Sequence, residues 1–412
     1  MANIKPFKAV RPTRDKVSLV ASRSYQSYTQ AEREARLDHN PFSFLHIVNP
    51  GYKYDKEISG ISRYQLVKNR YLEFKEDGVF EQDEKPLFYI YKIVDRNKQV
   101  FNGIVAAASV LDYQNNLIKK HENTIAKREL IFKDYLKTVG FNTEPVLITY
   151  PDNKTITAII QRKQLERAEY EFTTTYRDTH YLWLITEENS IETIIETFKN
   201  IAVLYIADGH HRSSSSELLS LDLKERNKNH KGTENYNYFM TYLIPESELK
   251  IHEFNRLVKD LNGLSKEEFL IQLDALYRIE NRGVIPYKPT EKHHFSMYLD
   301  GEFYSLHLRK SSYKFKTSLD RLDAQLLYET VLKPILNITD LRNNNRIDYL
   351  SGKKEIISIK TKVDSGAFQV GFNMIPANIE ELKNIADEGL RMPPKSTFIE
   401  PKLRSGVTIY EF

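Results

Sequence analysis

Apolar positions along the chain switch repeatedly between a spacing of three to four and an alternation of two, and each switch predicts an element. Thr29-Gln30-Ala31-Glu32 has the spacing of a capping box and predicts a short polar helix. The apolar run Phe44 to Val48 predicts a buried strand. Ser62 to Phe74 predicts a helix with Leu66, Val67, Tyr71 and Phe74 on one face. Leu87–Val94 and Gly103–Val110 flank a polar turn at Asp95-Arg96-Asn97 and predict a hairpin. A helix over Ile125–Val139 and a strand over Pro145–Tyr150 follow. The middle reads as strand Tyr181–Thr186, helix Ser190–Ile201, strand Ala202–Ala207, a turn at Asp208-Gly209, and a helix from about Arg212 to Arg226. Further strands are expected at 236–244 and 250–254, and Ser265-Lys266-Glu267-Glu268 caps another helix. His294–Leu299 and Glu302–Leu308 form the clearest hairpin, because Asp300-Gly301 between them suits the positive φ of a tight turn. Arg321 to Leu336 is amphipathic, 354–360 and 367–375 read as strands, and 378–388 as a helix.

Hairpins thus accompany strand–helix crossovers throughout. This pattern predicts an α+β fold with mixed sheets rather than a doubly wound parallel sheet. At roughly 150 residues per domain, 412 residues suggest two or three domains. A polar stretch at 228–236 suggests a division into 1–235 and 236–412, the first region carrying the candidate phosphate site and the second contributing the loop 391–402. No internal repeat or long Pro/Gly/Ser linker is present.

Charge and composition narrow the function. Sixty Lys and Arg stand against 56 Asp and Glu, a net +4, and the two signs interleave. A nucleic-acid binder concentrates its basic residues, so nucleic acid is not the expected partner. The chain has no cysteine, which excludes disulfides, thiolate metal sites and cysteine nucleophiles. No run approaches the roughly 18 apolar residues of a membrane helix. The first residues lack the apolar core of a signal peptide, so a cytoplasmic location is expected. Nothing in the sequence indicates an oligomeric state.

Common nucleotide and hydrolase signatures are missing: there is no Gly-x-x-x-x-Gly-Lys-Ser/Thr, no Gly-x-Gly-x-x-Gly and no Gly-x-Ser-x-Gly. Three other segments carry candidate chemistry. In Ala207-Asp208-Gly209-His210-His211-Arg212-Ser213-Ser214, a strand ends and a helix begins. Gly209 permits a sharp turn, and the helix N-terminus attracts anions. His210, His211 and Arg212 add donors, Arg212 in a geometry that grips phosphate oxygens in pairs. Ser213 adds a hydroxyl, and Asp208 is a candidate ligand for Mg²⁺. The competing structural reading makes Asp208 a helix cap and leaves both histidines in solvent. Lys120-His121-Glu122-Asn123-Thr124 precedes a helix. There Glu122 is a candidate general base and His121 a substrate or phosphate ligand, while Asn123 or Thr124 as a simple N-cap is the alternative. In Arg391-Met392-Pro393-Pro394-Lys395-Ser396-Thr397-Phe398, Lys395, Ser396 and Thr397, with Lys402 beyond, offer a cation and hydroxyls to an anion. A rigid turn packed by Phe398 explains the same composition.

These three motifs, in this order and after a start at Pro6-Phe7, resemble the bacterial and archaeal domain-of-unknown-function family numbered 1015 over essentially the whole chain. Its members often carry a SpoOJ/ParA/ParB/RepB-like label. The resemblance implies a ParB/sulfiredoxin-like nucleotide-binding core with additional α/β elements, similar to that of free-serine kinases. Carried over, it makes Gly209, His210, His211 and Arg212 the phosphate cradle and Asp208 the Mg²⁺ partner. Lys120, Thr124, Ser213, Lys395, Ser396 and Thr397 join them as candidate binding residues, with ATP or ADP as phosphoryl donor. His121, Glu122 and Asp208 become the catalytic candidates.

Two positions depart from the family pattern. Arg23-Ser24-Tyr25-Gln26 stands where Pro-Tyr-Asp is usual, and Ser213 where an aromatic is common. Sulfiredoxin-type chemistry needs a thiol, so only phosphate binding carries over. The expected function is a serine kinase-like phosphotransferase that acts on a small hydroxylated metabolite. The alternatives are a ParB-like nucleotide- or DNA-binding protein, a non-catalytic nucleotide or metabolite sensor and, more remotely, a metallohydrolase.

Overall fold

The computed structural model describes residues 2–412 except Asp55 and Lys354. The fold is α+β with mixed sheets. It divides into two compact units: Met1–Lys120, Thr124–Leu249 and Pro401–Phe412 form the first, and His121–Asn123 with Lys250–Glu400 form the second.

The first unit is built on a nine-stranded sheet. Its order is Ile118–Lys119, Leu204–Asp208, Val146–Tyr150, Tyr238–Pro245, Val100–Ser109, Phe88–Val94, Thr179–Ile185 and Tyr170–Thr173, with Ile4–Lys5 also pairing with Val100–Ser109. The predicted hairpin is present as Phe88–Val94 antiparallel to Val100–Ser109. At its turn, Asp95 Oδ1 accepts the N–H groups of Asn97 and Gln99 at 2.8 and 2.9 Å. Helices Lys154–Lys163 and Glu188–Lys199 bury Ile156, Ile160, Ile194 and Phe198 against Ile104, Ile148, Ile206 and Leu243 of the sheet. Each such side chain, fully buried, contributes about 1.5–3 kcal/mol. A second cluster gathers Tyr64, Val67, Tyr71 and Phe74 of helix Gly60–Glu76 around Phe44, Ile47 and Phe141. Tyr64 takes the buried place that the periodicity assigned to Leu66, which is half-buried.

The second unit carries a six-stranded sheet in the order Tyr277–Gly283, Glu302–Leu308, His294–Leu299, Val370–Asn373, Phe254–Val258 and Ile347–Ser351. Leu257, Tyr298, Phe303 and Leu350 pack from it against Ile359 and Val363 of helix Ile357–Asp364. The Asp300-Gly301 hairpin appears with both predicted arms. Among the described residues of the whole chain, no helix is long and apolar enough to cross a membrane.

Four element predictions are corrected. Phe44 to Val48 is not a strand: Leu45–Val48 is a helical turn closed by Asn49 N–H on Leu45 O at 2.8 Å. A run this short, with four apolar residues and His46, fits either conformation, and the spacing of Phe44 and Ile47 serves a helix as well. The strand expected at 354–360 is helix Ile357–Asp364, with Lys354 outside the described residues. Ile357 and Ile359 imitate a period of two, but it is Ile359 and Val363 that reach the core, while Ile357 is exposed. The strand expected at 250–254 is two strands, Lys250–His252 and Phe254–Val258, which pair with different partners. The amphipathic stretch 321–336 is α-helical only over Asp323–Leu327. Beyond it lies a wider turn, Tyr328–Leu332, where Lys333 N–H reaches Tyr328 O.

Tyr242 crosses the central strand at Gly103 and donates to Tyr91 O at 2.9 Å. A Cβ at position 103 would lie 2.4 Å from Tyr242 Cζ and 2.6 Å from Leu243 O. Gly103→Ala should therefore lower unfolding stability by about 1–3 kcal/mol, measured by urea denaturation.

Candidate functional site

The turn after strand Leu204–Asp208 is where the candidate chemistry gathers. That strand runs parallel to Ile118–Lys119 on one side and antiparallel to Val146–Tyr150 on the other. Lys120 and Asp208 therefore leave the sheet at the same edge, beside the entry of Val146–Tyr150. Gly209 adopts φ +100° and ψ 25°, a left-handed conformation that other residues occupy only under strain. This lets the chain reverse directly into helix His210–Arg226, which starts two residues before its predicted beginning. Its N-cap, Gly209, has no side chain to cap it, and its first turn holds no acidic residue.

Arg212 folds back over the turn. A Cβ at position 209 would lie 3.0 Å from its Nε, so the guanidinium rests on the bare Gly209 backbone. Arg212 Nη1 donates to Pro145 O at 2.6 Å, and Nη2 reaches Asp208 Oδ2 at 3.2 Å. Glu144 lies 3.9 Å from Nη1. From the far end of the sequence, Lys402 Nζ meets the same Asp208 Oδ2 at 3.2 Å. The segment carrying Lys402 is anchored by two neighbours. Arg404 is buried and pairs with Asp178 at 3.0 Å. Ser405 exchanges backbone hydrogen bonds with Ser22 at 2.8 and 3.2 Å.

The electrostatics follow from this placement. Burial pushes the Asp208 carboxyl upward, but Lys402 and Arg212, with a smaller contribution from His210, outweigh it and hold it at about 2. Asp208 is thus an anion at any neutral pH, and both cations are oriented by it. Among the described residues no cluster of three or more His, Cys, Asp or Glu side chains is placed to cage a metal ion. A single ionised carboxylate can serve Mg²⁺ as one oxygen ligand, with the others supplied from outside the chain.

The other predicted residues divide between the units. His210 is buried and His211 half-buried. Ser213 and Ser214 are buried and donate to the carbonyls of His210 and His211 at 3.0 and 3.4 Å. Ser215 donates to Glu129 O of the neighbouring helix Ala126–Val139 at 3.2 Å. The serine run thus supplies small residues at a packed helix surface. Lys120 donates to Tyr113 Oη at 3.3 Å with its ammonium 4.7 Å from that ring's centroid, and Thr124 donates to the Glu129 carboxylate.

In the second unit, two of the motifs lie backbone to backbone. Met392 N–H donates to His121 O at 2.8 Å, and Glu122 bridges to Met392 in parallel. Ser396 is buried on Pro393 O at 2.7 Å, Thr397 is half-buried, and Lys395 is exposed with its Nζ 5.2 Å from the Phe254 ring centroid. Sequence reasoning named Lys402 only as a loop cation and missed Glu144 and the Pro145 carbonyl altogether.

A family model described as a protein of unknown function (DUF1015) matches residues 4–325. No curated protein matches the chain by sequence. Among solved structures, a free serine kinase in complex with AMP is similar at 12% identity, with a TM-score of 0.35 over 74% of this chain and 91% of that one. SbnI with a C-terminal truncation, from Staphylococcus aureus, is similar at 11% identity and TM-score 0.36, over 72% of this chain and 82% of its own. A conserved hypothetical protein from Pyrococcus furiosus is similar at 10% identity and TM-score 0.33, over 74% of this chain and 94% of its own.

Because the Asp208 carboxyl lies below its unfolded value, it stabilises the fold above about pH 4, and that contribution fades as pH falls toward about 2. A ¹³C-detected titration should show Asp208 ionised down to about pH 2. In Lys402→Met the midpoint should move up toward the ordinary carboxylate range; an unmoved midpoint would mean that Lys402 does not set it.

Proposed function

We propose that this chain, which belongs to the DUF1015 family, binds a nucleotide at the Asp208–Arg212 turn and transfers its terminal phosphoryl group to the hydroxyl of a small metabolite. What supports the reading most is one arrangement. A helix N-terminus whose N-cap is Gly209, Arg212 laid across that glycine, and Lys402 gather at a single ionised carboxylate. Donors and cations oriented before the ligand arrives are what phosphoryl transfer requires, since that chemistry depends chiefly on positioning and charge neutralisation.

On binding, Arg212 and Lys402 turn from Asp208 to the phosphate oxygens, and the first-turn amides of the helix add their dipole. His210 and His211 line the start of the same helix. Mg²⁺, where bound through Asp208 and the phosphates, supplies further neutralisation of the transferred group. The acceptor hydroxyl oxygen forms the new bond to phosphorus, the bond from phosphorus to the bridging oxygen of the nucleotide breaks, and the hydroxyl proton passes to a base. Glu122 is our candidate for that base. Lys120, His121 and Thr124 complete the proposed set of binding residues. Free serine is the first acceptor to test, with ATP or ADP as donor.

Calorimetry with Mg²⁺ and ATP or ADP should detect binding to wild type. Arg212→Ala should weaken it by roughly 10- to 100-fold, the worth of a charge-assisted hydrogen bond, and Lys402→Met should also weaken it. Equal affinity in all three proteins would place the nucleotide elsewhere. Phosphoserine detected by mass spectrometry after incubation with serine would establish turnover, whereas tight binding without product would favour the sensor reading. Glu122→Gln should reduce turnover by about 10²–10⁴-fold and leave nucleotide affinity unchanged.

A further inference from the structure

Arg256 of the second unit is a buried cation with no counter-charge among the described residues. It lies in strand Phe254–Val258 with 1% of its surface exposed. Its Nη1 donates to Phe254 O and lies 3.8 Å from Met374 Sδ, and its Nη2 donates to Lys395 O at 3.1 Å. Its Nε–H has no acceptor among the described residues. Burial lowers the guanidinium to about 10, with only Tyr349 pulling the other way, so it remains charged at neutral pH. The Tyr349 ring, its centroid 5.4 Å away, stabilises a cation but cannot neutralise it. A buried guanidinium without an anion is costly, and its planar fork is suited to carboxylates and phosphates.

A second feature falls at the same place. Lys395, whose carbonyl Arg256 holds, has φ +57°, a left-handed conformation that a lysine adopts only under strain. Its ammonium stands over Phe254, two residues from Arg256 and on the same face of the strand. The turn that carries Lys395 is therefore held in a strained backbone conformation directly against the uncompensated cation.

We propose that Arg256 and Lys395 form a binding site for a small oxyanion, a carboxylate or a phosphate group, which takes the Nε–Nη2 edge of Arg256 in place of the Lys395 carbonyl. Release of that carbonyl frees the 393–397 turn to relax, so binding and loop conformation are linked. The site lies wholly within the second unit and does not depend on nucleotide binding at Asp208–Arg212.

The test uses the full chain labelled with ¹⁵N-arginine, its Nε–H signals assigned by triple-resonance spectroscopy. It is titrated separately with inorganic phosphate, acetate and free serine. A saturable shift of the Arg256 Nε–H signal is expected, with phosphate alone if the site takes phosphates, or with acetate and serine if it takes carboxylates. Arg256→Lys should weaken the effective ligand by roughly tenfold or more. If that variant does not fold, Lys395→Gly, which relieves the strain and removes the ammonium, should still weaken it several-fold. An Arg256 signal unmoved by all three probes, or undiminished affinity in Lys395→Gly, would overturn the site. The Arg212 Nε–H signal reports the nucleotide cradle separately, so the two proposals fail independently.

Discussion

One carboxylate oxygen organises the candidate site. Asp208 Oδ2 receives Arg212 from the following helix and Lys402 from the C-terminal segment. Arg212 in turn ties the helix start to Pro145 at the entry of the neighbouring strand. Three pieces of chain distant in sequence, around residues 145, 204–212 and 402, thus meet at one charge group. The geometry depends on Gly209, because only a residue without Cβ both reaches that backbone conformation and leaves the guanidinium room to lie across it. In water such exposed ion pairs are worth little to stability. Their consequence is orientation: Asp208 holds both cations beside a helix N-terminus.

The same principle, a cation whose partner is incomplete, separates Arg212 from Arg256. Arg212 is partly exposed and satisfied by a carboxylate and a carbonyl. Arg256 is buried, donates to carbonyls and a thioether, and its Nε–H is unmatched among the described residues. Desolvation is what makes this difference consequential, because an uncompensated charge costs far more inside a protein than at its surface.

Serine-rich motifs show how composition misleads about chemistry. Ser213 to Ser216 look like a set of hydroxyls offered to an anion, yet all four are buried and donate to main-chain carbonyls. A serine inside a helix finds the carbonyl three or four residues back within reach, and its small volume suits a close helix contact. The segments 44–48 and 354–360 misled for a related reason: a short apolar run, or a few residues of period two, is compatible with a helix when its core contacts fall three or four apart.

Local physical chemistry legible in the sequence decided much of this protein. Capping boxes at Thr29, Ser265 and Asn378 start their helices. Asp-Gly closes its hairpin, and the strand–turn–helix of Ala207 to Arg212 appears where its pattern placed it. These features involve neighbours within a few residues, so one chain segment contains the whole determinant. What only the tertiary structure decided is pairing at a distance. That Lys402 completes the charge group at Asp208, that Met392 lies along His121 and Glu122, and that Arg256 is buried under Lys395 depend on which strands become adjacent. No periodicity encodes that adjacency, because it is selected by the packing of the whole unit and not by any one segment.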